Sequence, residues 1–303
     1  MAEKCIILMS TYNGEKYLQE QLDSILKQKD VDIHLLIRDD GSEDRTRSIL
    51  KDYAAKYSNV SLLLEDNIGC KQSFMRLGRV ANEMFPDARY FSFADQDDVW
   101  KENKLSAAIM HLSSGMDKPM LYFCRYQLVN AELQPMKTEF VGQKLTLTGA
   151  LVLFHVPGCS MTFNRKLLEL FIMADENMIS LHDSWIFRTC LACGGVVICD
   201  DSRNLLYRQH GDNIIGDAGM VTKWKRRFRQ FVSHRNKISN QAKLLLDTYG
   251  DFLSGSDRIN LKYLAEYRRK MLYRLKLVLT ARFTAHSMTH NVLFRVAAIT
   301  GRL

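Results

Sequence analysis

Within its first hundred residues the chain repeats one pattern four times: a short apolar run, then a polar loop, then apolar residues at helical spacing. Cys5-Ile6-Ile7-Leu8-Met9 closes in Ser10-Thr11-Tyr12-Asn13-Gly14, after which Leu18, Leu22, Ile25 and Leu26 share a helix face. Ile33 to Ile37 closes in Arg38-Asp39-Asp40-Gly41-Ser42, ahead of Ile49, Leu50 and Tyr53. Val60 to Leu64 closes in Glu65-Asp66-Asn67-Ile68-Gly69, ahead of a helix from about Gln72 to Met84, and Tyr90 to Ala94 closes in Asp95-Gln96-Asp97-Asp98. Such alternation predicts parallel βαβ units, whose right-handed crossovers bring the strands' carboxyl ends to one edge. The expected fold is therefore α/β, a mainly parallel sheet flanked by helices. That edge, where open α/β sheets bind ligands, would carry Thr11, Asp39, Asp40, Asn67, Asp95 and Asp97.

The fourth loop poses an electrostatic problem. Three carboxylates within four residues repel one another unless a cation or a set of donors sits opposite. Asp95 and Asp97, one residue apart in extended chain, point to the same side. Paired hard oxygens suit Mg²⁺ or Mn²⁺, which keeps open positions for the oxygens of a diphosphate. A solvated acidic turn in which Asp98 caps the next helix reads the same residues without a ligand.

At 47% hydrophobic and 25% charged residues the chain is globular, with no low-complexity tract. Seven cysteines are scattered through apolar runs, and the pair Cys190 and Cys193 has no second Cys or His pair at zinc-finger spacing, so reduced structural thiols are expected. The run after Met1 is too short for a signal peptide, and no window approaches the ~20 apolar residues of a membrane span, which leads to the expectation of a cytoplasmic protein. Charge divides the chain. From residue 222 onward 18 Lys and Arg face 4 Asp and Glu, or +14, which leaves 24 against 30, or −6, in the first 221. A domain of residues 1–215 and a basic, mainly helical region of 216–303 are expected. In the latter, Trp224, Phe228, Phe231 and Val232 fall on one face of a helix among cations. That suits an anionic membrane surface, and a helix packed against the rest of the protein reads equally well. Nucleic acid is the weaker idea, because no base-reading motif accompanies the charge.

Six stretches in one order, Ser10 to Gly14, Arg38 to Ser42, Phe93 to Trp100, Pro157 to Arg165, His182-Asp183-Ser184-Trp185 and Tyr207 to Asn213, resemble the family 2 glycosyltransferases. These are inverting enzymes of the GT-A fold, and the closest resemblance is to the bacterial rhamnosyltransferase-type group. The match runs over roughly residues 4 to 215. It implies that the first loop, with Thr11, Tyr12 and Asn13, faces the nucleotide. Asp39 would accept the imide N–H of a uracil or thymine base with Asp40 beside it, although the local pattern alone is also a turn and helix cap. Asn67 and Gly69 would lie near the ribose. Asp95 would bind ribose or metal, Asp97 the metal, and Gln96 sits between them in the donor site. Gly158 and Cys159 would line the sugar or acceptor pocket through their backbone. His210 would complete the metal shell or touch the diphosphate, and Arg208 would meet phosphate charge. Inversion is a single displacement at the anomeric carbon, so one carboxylate must take the acceptor hydroxyl's proton. The resemblance assigns this to Asp183, which by itself also reads as the N-cap of a helix over Ser184 to Cys193. Trp185 is either a sugar-stacking surface or core.

The expected activity is metal-dependent, inverting transfer of a hexose such as rhamnose from a UDP- or dTDP-sugar to a growing, lipid-linked surface glycan. The basic region would then hold the enzyme at the inner face of the plasma membrane. One rival, a nucleotidyltransferase making a nucleotide sugar, calls for a Gly-rich, Arg- or Lys-bearing phosphate loop that Ser10 to Gly14 lacks. Another is a non-catalytic membrane or nucleic-acid adaptor. Sugar, acceptor and linkage depend on residues 120–178, the least patterned segment.

Overall fold

The computed structural model describes residues 2–115, 117–138, 142–209 and 237–303. The chain forms two compact units, one of residues 1–138, 156–190 and 195–208, the other of 139–155, 191–194 and 209–303.

The first unit is built on one eight-stranded sheet. Strand β1 (Glu3–Thr11), helix α1 (Leu18–Leu26), β2 (Val31–Asp40), α2 (Thr46–Lys56), β3 (Val60–Glu65), α3 (Cys70–Met84) and β4 (Tyr90–Ala94) follow the alternation read from sequence. Residues Cys5 to Met9 of β1 are wholly buried, as a central parallel strand covered on both faces must be. Strands β1 to β4 pair in parallel, in the order β3-β2-β1-β4. Thr11 stands opposite Asp39, Asp40 opposite Glu65, and Met9 opposite Ala94, so the polar loops leave the sheet side by side.

The other half of the sheet is mixed. After β5 (Val99–Trp100) and α4 (Lys104–Leu112) come β6 (Met120–Val129), then α5 (Leu147–Val152) of the second unit, β7 (Met161–Asn164), α6 (Arg165–Phe171), α7 (His182–Ala192) and β8 (Val196–Arg208). The order continues β4-β7-β6-β8-β5. Strand β7 runs antiparallel to both β4 and β6, β8 is parallel to β6, and β5 is antiparallel to β8. A strand as short as Met161 to Asn164 is compatible with either direction, so its reversal was not legible. Strand β8 is also longer than the Val196 to Cys199 run foretold: past the bulges opposite Cys124 to Tyr126, it carries the chain on to Arg208.

In the second unit, α8 (Lys237–Tyr249), α9 (Gly255–Glu266), α10 (Met271–Leu279) and α11 (Met288–Thr300) join α5. Leu244, Leu245, Tyr249, Leu261, Leu264, Leu277 and Ala298 are buried, and Phe283 stacks on Phe294 with centroids 5.4 Å apart. The described part of the basic region is thus helical; Trp224, Phe228, Phe231 and Val232 lie outside the described residues.

Arg38, 1% exposed inside β2, is the cation that lets this edge exist. It pairs with Asp40, donates to Glu65 Oε2 at 2.9 Å, and caps the Asp66 carbonyl at 2.7 Å. Removing one partner of a buried pair leaves the other charge uncompensated, at a cost of about 3–5 kcal/mol. Arg38→Ala is expected to lower unfolding free energy by about that amount in urea titrations, and an effect below about 1 kcal/mol would refute this role.

Candidate active site at the carboxyl edge

Asp39 is fully buried and already served by the protein. Its Oδ2 accepts from the Thr11 hydroxyl at 3.1 Å and the Ser42 hydroxyl at 2.5 Å; its Oδ1 accepts from the Ser42 amide at 3.1 Å and Arg47 Nε at 2.5 Å. An incoming imide N–H would have to displace one of these donors, so Asp39 is not the open acceptor expected from sequence. Asp40 departs further from expectation. It is turned inward, paired with Arg38, and takes the amides of Ile68 and Gly69 at 2.8 and 2.9 Å, so its carboxylate organises the third loop and is not free for a ligand. Gly69 has φ of +88°, a conformation side-chain-bearing residues rarely adopt, and starts α3 there. Asn67 is exposed beside Gly41, and Tyr12 is about half exposed. Asn13, at φ +47°, accepts the Glu43 amide on its side chain at 2.9 Å.

The tetrad is tied down from two sides. The Gln96 side-chain amide makes both hydrogen bonds of a backbone mimic with Tyr12, accepting its N–H at 2.9 Å and donating to its carbonyl at 3.0 Å. Gly14 is needed under it, since a Cβ there would come within 2.3 Å of Gln96. Gln96 is therefore a strut, not the open donor-site contact expected. Arg208 is likewise reassigned. It is 1% exposed, lies 4.4 Å over the Tyr17 ring, donates from Nε to the Asp97 carbonyl at 2.8 Å, and pairs with Glu20 and the Ala131 carbonyl. With its guanidinium consumed by protein groups, it clamps the tetrad and leaves nothing for phosphate.

Asp95 and Asp97 are partly buried and Asp98 wholly so. Burial first, then the charge of Asp97, pushes the Asp95 carboxyl up to about 7. The same two causes, with Asp95 added, push Asp98 well up. Asp98 Oδ1 accepts the Arg208 amide at 3.2 Å, whereas no donor among the described residues reaches its buried Oδ2. Ligand-capable atoms of Asp95, Asp98 and Cys159 lie within 4.8 Å of one another. This differs from the expected Asp95 and Asp97 pair by bringing Asp98 and the thiol inward. Burial and the neighbouring carboxylates drive the Cys159 thiol well up, so it stays protonated and hard-oxygen ligation falls to the aspartates. Crowded, under-neutralised carboxylates of this kind fit a divalent cation. His210, the expected additional ligand, lies outside the described residues.

Beneath the tetrad stands Lys104, which sequence reasoning missed. It is fully buried, its ammonium 3.6 Å from the Trp100 ring centroid and 3.4 Å from Ser92 Oγ; burial lowers its pKa, and the charge of Asp98 works in the opposite direction. In sequence it is one more charge at the start of a helix; the signal that might have found it is its spacing six residues after Asp98 on a helix that must pack on the sheet.

Asp183 stands in the first turn of α7, which begins at His182 and not at Ser184. It is 8% exposed, and its Oδ1 accepts the Ser184 amide at 2.5 Å. Burial raises its carboxyl to about 6, against the lowering effect of the Ser184 amide and of Arg188. Asp95 feels the charge of Asp183, and Cys70 feels both. A Cβ on Gly158 would lie 3.5 Å from Asp183 Cβ, and the next residue, Cys159, has its ligand atom within 4.8 Å of that of Asp95, so one turn separates the two carboxylates. His182 stacks on Phe74 at 3.8 Å and meets Phe93 edge-on at 5.0 Å; burial holds its imidazole down at about 3, hence neutral. Trp185 is fully buried and so belongs to the core, not to a sugar surface. Gly158 keeps α7 close: a Cβ there would fall 2.6 Å from His182 Nε2 and 3.5 Å from Asp183 Cβ.

An α/β sheet whose carboxyl edge gathers the crowded aspartates of the tetrad, a raised carboxylate close by and a loop locked to the tetrad has the make-up of an enzyme's active site. The chain belongs to glycosyl transferase family 2, whose family model matches residues 6–171, and it is a glycosyltransferase. It is 31% identical over 248 residues to the dTDP-rhamnosyl transferase RfbG of Shigella flexneri, covering 77% of this chain and 83% of that one. An uncharacterized glycosyltransferase of Rickettsia prowazekii is 28% identical over 184 residues, of which this chain spans 55%. Among solved structures, S. aureus TarS 1-349 matches with a TM-score of 0.56 at 15% identity, over 98% of this chain and 92% of that one. The mannosyltransferase PcManGT of Pyrobaculum calidifontis, solved with GDP-Man and Mn²⁺, matches with a TM-score of 0.52 at 17% identity, over 98% and 86%. The structural likenesses show the shared GT-A-like fold.

Overpacking at a close approach costs about 1–3 kcal/mol. Gly158→Ala is expected to destabilise the protein by about that much in denaturant unfolding, and an unchanged midpoint would show that α7 does not rest on this glycine.

Proposed function

We propose that the chain transfers a hexose, rhamnose by analogy with the Shigella relative, from a UDP- or dTDP-sugar to a growing cell-surface polysaccharide, with inversion and with Mg²⁺ or Mn²⁺ bound. The observation that carries this reading is the proximity of Asp183 to Asp95 across the Gly158–Cys159 turn: a carboxylate raised to about 6 lies beside a carboxylate cluster in want of a cation. Asp95 and Asp97, with buried Asp98 beside them, would hold the metal, which when bound neutralises charge on the leaving diphosphate. In the displacement, the acceptor oxygen bonds to the anomeric carbon as the bond to the diphosphate breaks, and Asp183 takes the hydroxyl proton. The Ser184 amide and Arg188 keep Asp183 oriented and ionisable. Gln96 holds Tyr12 of the nucleotide loop in place, and Arg208 fixes the tetrad through the Asp97 carbonyl. A pyrimidine base reaching Asp39 would take the place of the Arg47 or Thr11 donor. The acceptor in this reading is lipid-linked, and the enzyme sits peripherally at the inner face of the plasma membrane; the +14 charge of residues 222–303 supports that position.

A base must be deprotonated to work, and the raised carboxyl of Asp183 is half protonated near pH 6. With donor and Mn²⁺ saturating, transfer should fall about tenfold per pH unit below that point. Asp183→Asn should cost roughly 10²–10⁴-fold in turnover, with UDP or dTDP binding intact by calorimetry. Near-wild-type turnover by this variant would require another base. Asp97→Ala should abolish the Mn²⁺-dependent part of UDP or dTDP binding in the same calorimeter; equal heats with and without Mn²⁺ in the wild-type chain would overturn the metal assignment.

A further inference from the structure

The second unit leaves two apolar ridges uncovered. On α10, Met271, Leu275 and Leu279 recur every fourth residue with Leu272 beside them, and all four are 54–75% exposed. On α11, Met288, Val292, Val296 and Ile299 form a second ridge, 41–84% exposed. Both helices bury their other faces, through Leu277 on one and Phe294, Ala297 and Ala298 on the other, and they pack on each other, so the ridges are additional to the core. Single exposed leucines are ordinary; eight exposed apolar side chains on two packed helices mark an interaction face.

Charge says what kind of partner covers them. From residue 267 to 303 the sequence holds eight Lys and Arg and no Asp or Glu. Arg268, Arg269 and Lys270 precede the α10 ridge, Lys276 lies within it, Arg282 follows it, and Arg295 lies within the α11 ridge, all exposed. Among the described residues, the one carboxylate paired with these cations is Glu266, on Lys270. Between α9 and α10 a groove of about 420 Å³ is lined by Leu275 and Leu279 together with Tyr263, Asn260, Lys276 and Arg282. Lys276 donates to the Tyr263 hydroxyl at 2.9 Å, which holds its ammonium at the groove wall. Apolar side chains interleaved with cations in large excess over carboxylates, next to a groove with apolar and cationic walls, match an anionic lipid surface: acyl chains meet the ridges and headgroup phosphates meet the cations. A soluble acidic protein would match the charge but not the leucine and methionine ridges.

We infer that α10 and α11 form a membrane-docking face that binds the surface of a bilayer containing anionic phospholipid. The inference rests on the membrane position proposed above and adds the residues that make the contact.

The test is sedimentation of the full chain with phosphatidylcholine vesicles, with and without phosphatidylglycerol. Salt should be varied from about 0.1 M to about 1 M, where the Debye length shrinks from about 10 Å to about 3 Å. Binding should need phosphatidylglycerol and weaken at high salt. The triple change Leu272→Gln, Leu275→Gln, Leu279→Gln, at exposed positions that leave the core intact, should reduce vesicle partition by about tenfold or more, as should Arg269→Glu with Arg295→Glu. In both variants nucleotide calorimetry and transfer to a soluble acceptor should match wild type. Absence of vesicle binding by the wild-type chain overturns the inference, as does binding unchanged in both variants, which would place the contact elsewhere. Should gel filtration show a dimer that the triple variant splits while vesicle binding persists, the face joins two copies and the inference fails. Failure of the transferase reading would instead appear in the calorimetry and transfer assays, with vesicle binding untouched.

Discussion

A carboxylate withdrawn from water persists only where a cation or an N–H faces it, and the carboxyl edge of this sheet is assembled around that requirement. Arg38 answers Asp40, Arg47 answers Asp39, and the amides of Ser42, Ile68 and Gly69 take up further lone pairs. Each solution also shapes a loop: the turn after β2 closes on Asp39, and the loop after β3 closes on Asp40. At the tetrad the accounting stops short. Arg208 serves the backbone there and Lys104 lies below, yet Asp95 remains raised to about 7 and one oxygen of Asp98 has no donor among the described residues. The edge is balanced where it is structural and left in deficit where the sugar-nucleotide chemistry is proposed.

Lys104 is a further buried cation close to this deficit, reaching Ser92 on the strand that leads into the tetrad. Its ammonium is buried against the Trp100 ring and Ser92, with Thr162 donating to the same serine at 3.1 Å. A cation under low-dielectric cover acts on Asp98 more strongly than one in water would. It approaches from the interior and leaves the outward side of the tetrad open. Asp183 follows His182, which is neutral and stacked among Phe74 and Phe93, and burial is what raises the Asp183 carboxyl.

The parallel half of the fold was legible because its signals are local: apolar runs of strand length, polar loops after them, and helical spacing between. The tetrad was legible for the same reason, since like charges crowd within four residues. What stayed hidden depends on partners far away in sequence. Arg208 reads as a loop cation, and only the extended course of β8 brings it 110 residues back to Asp98. Gln96 reads as a ligand contact until its partner is seen to be the backbone of Tyr12, 84 residues earlier. Asp40 and Asp39 read alike, and side-chain alternation separates them: one turns to Arg38 inside the sheet, the other to Thr11 and the helix start beyond it. The exposed ridges of α10 and α11 escaped because helical spacing alone does not say which apolar face is buried.

The paired hydrogen bonds between Gln96 and Tyr12 tie the first loop, proposed to meet the nucleotide, to the tetrad. A sugar nucleotide bound across the two would be gauged like an object between the jaws of a fixed caliper. The distance from base to sugar, set by the number of phosphates between them, would then be tested as stringently as the identity of either end.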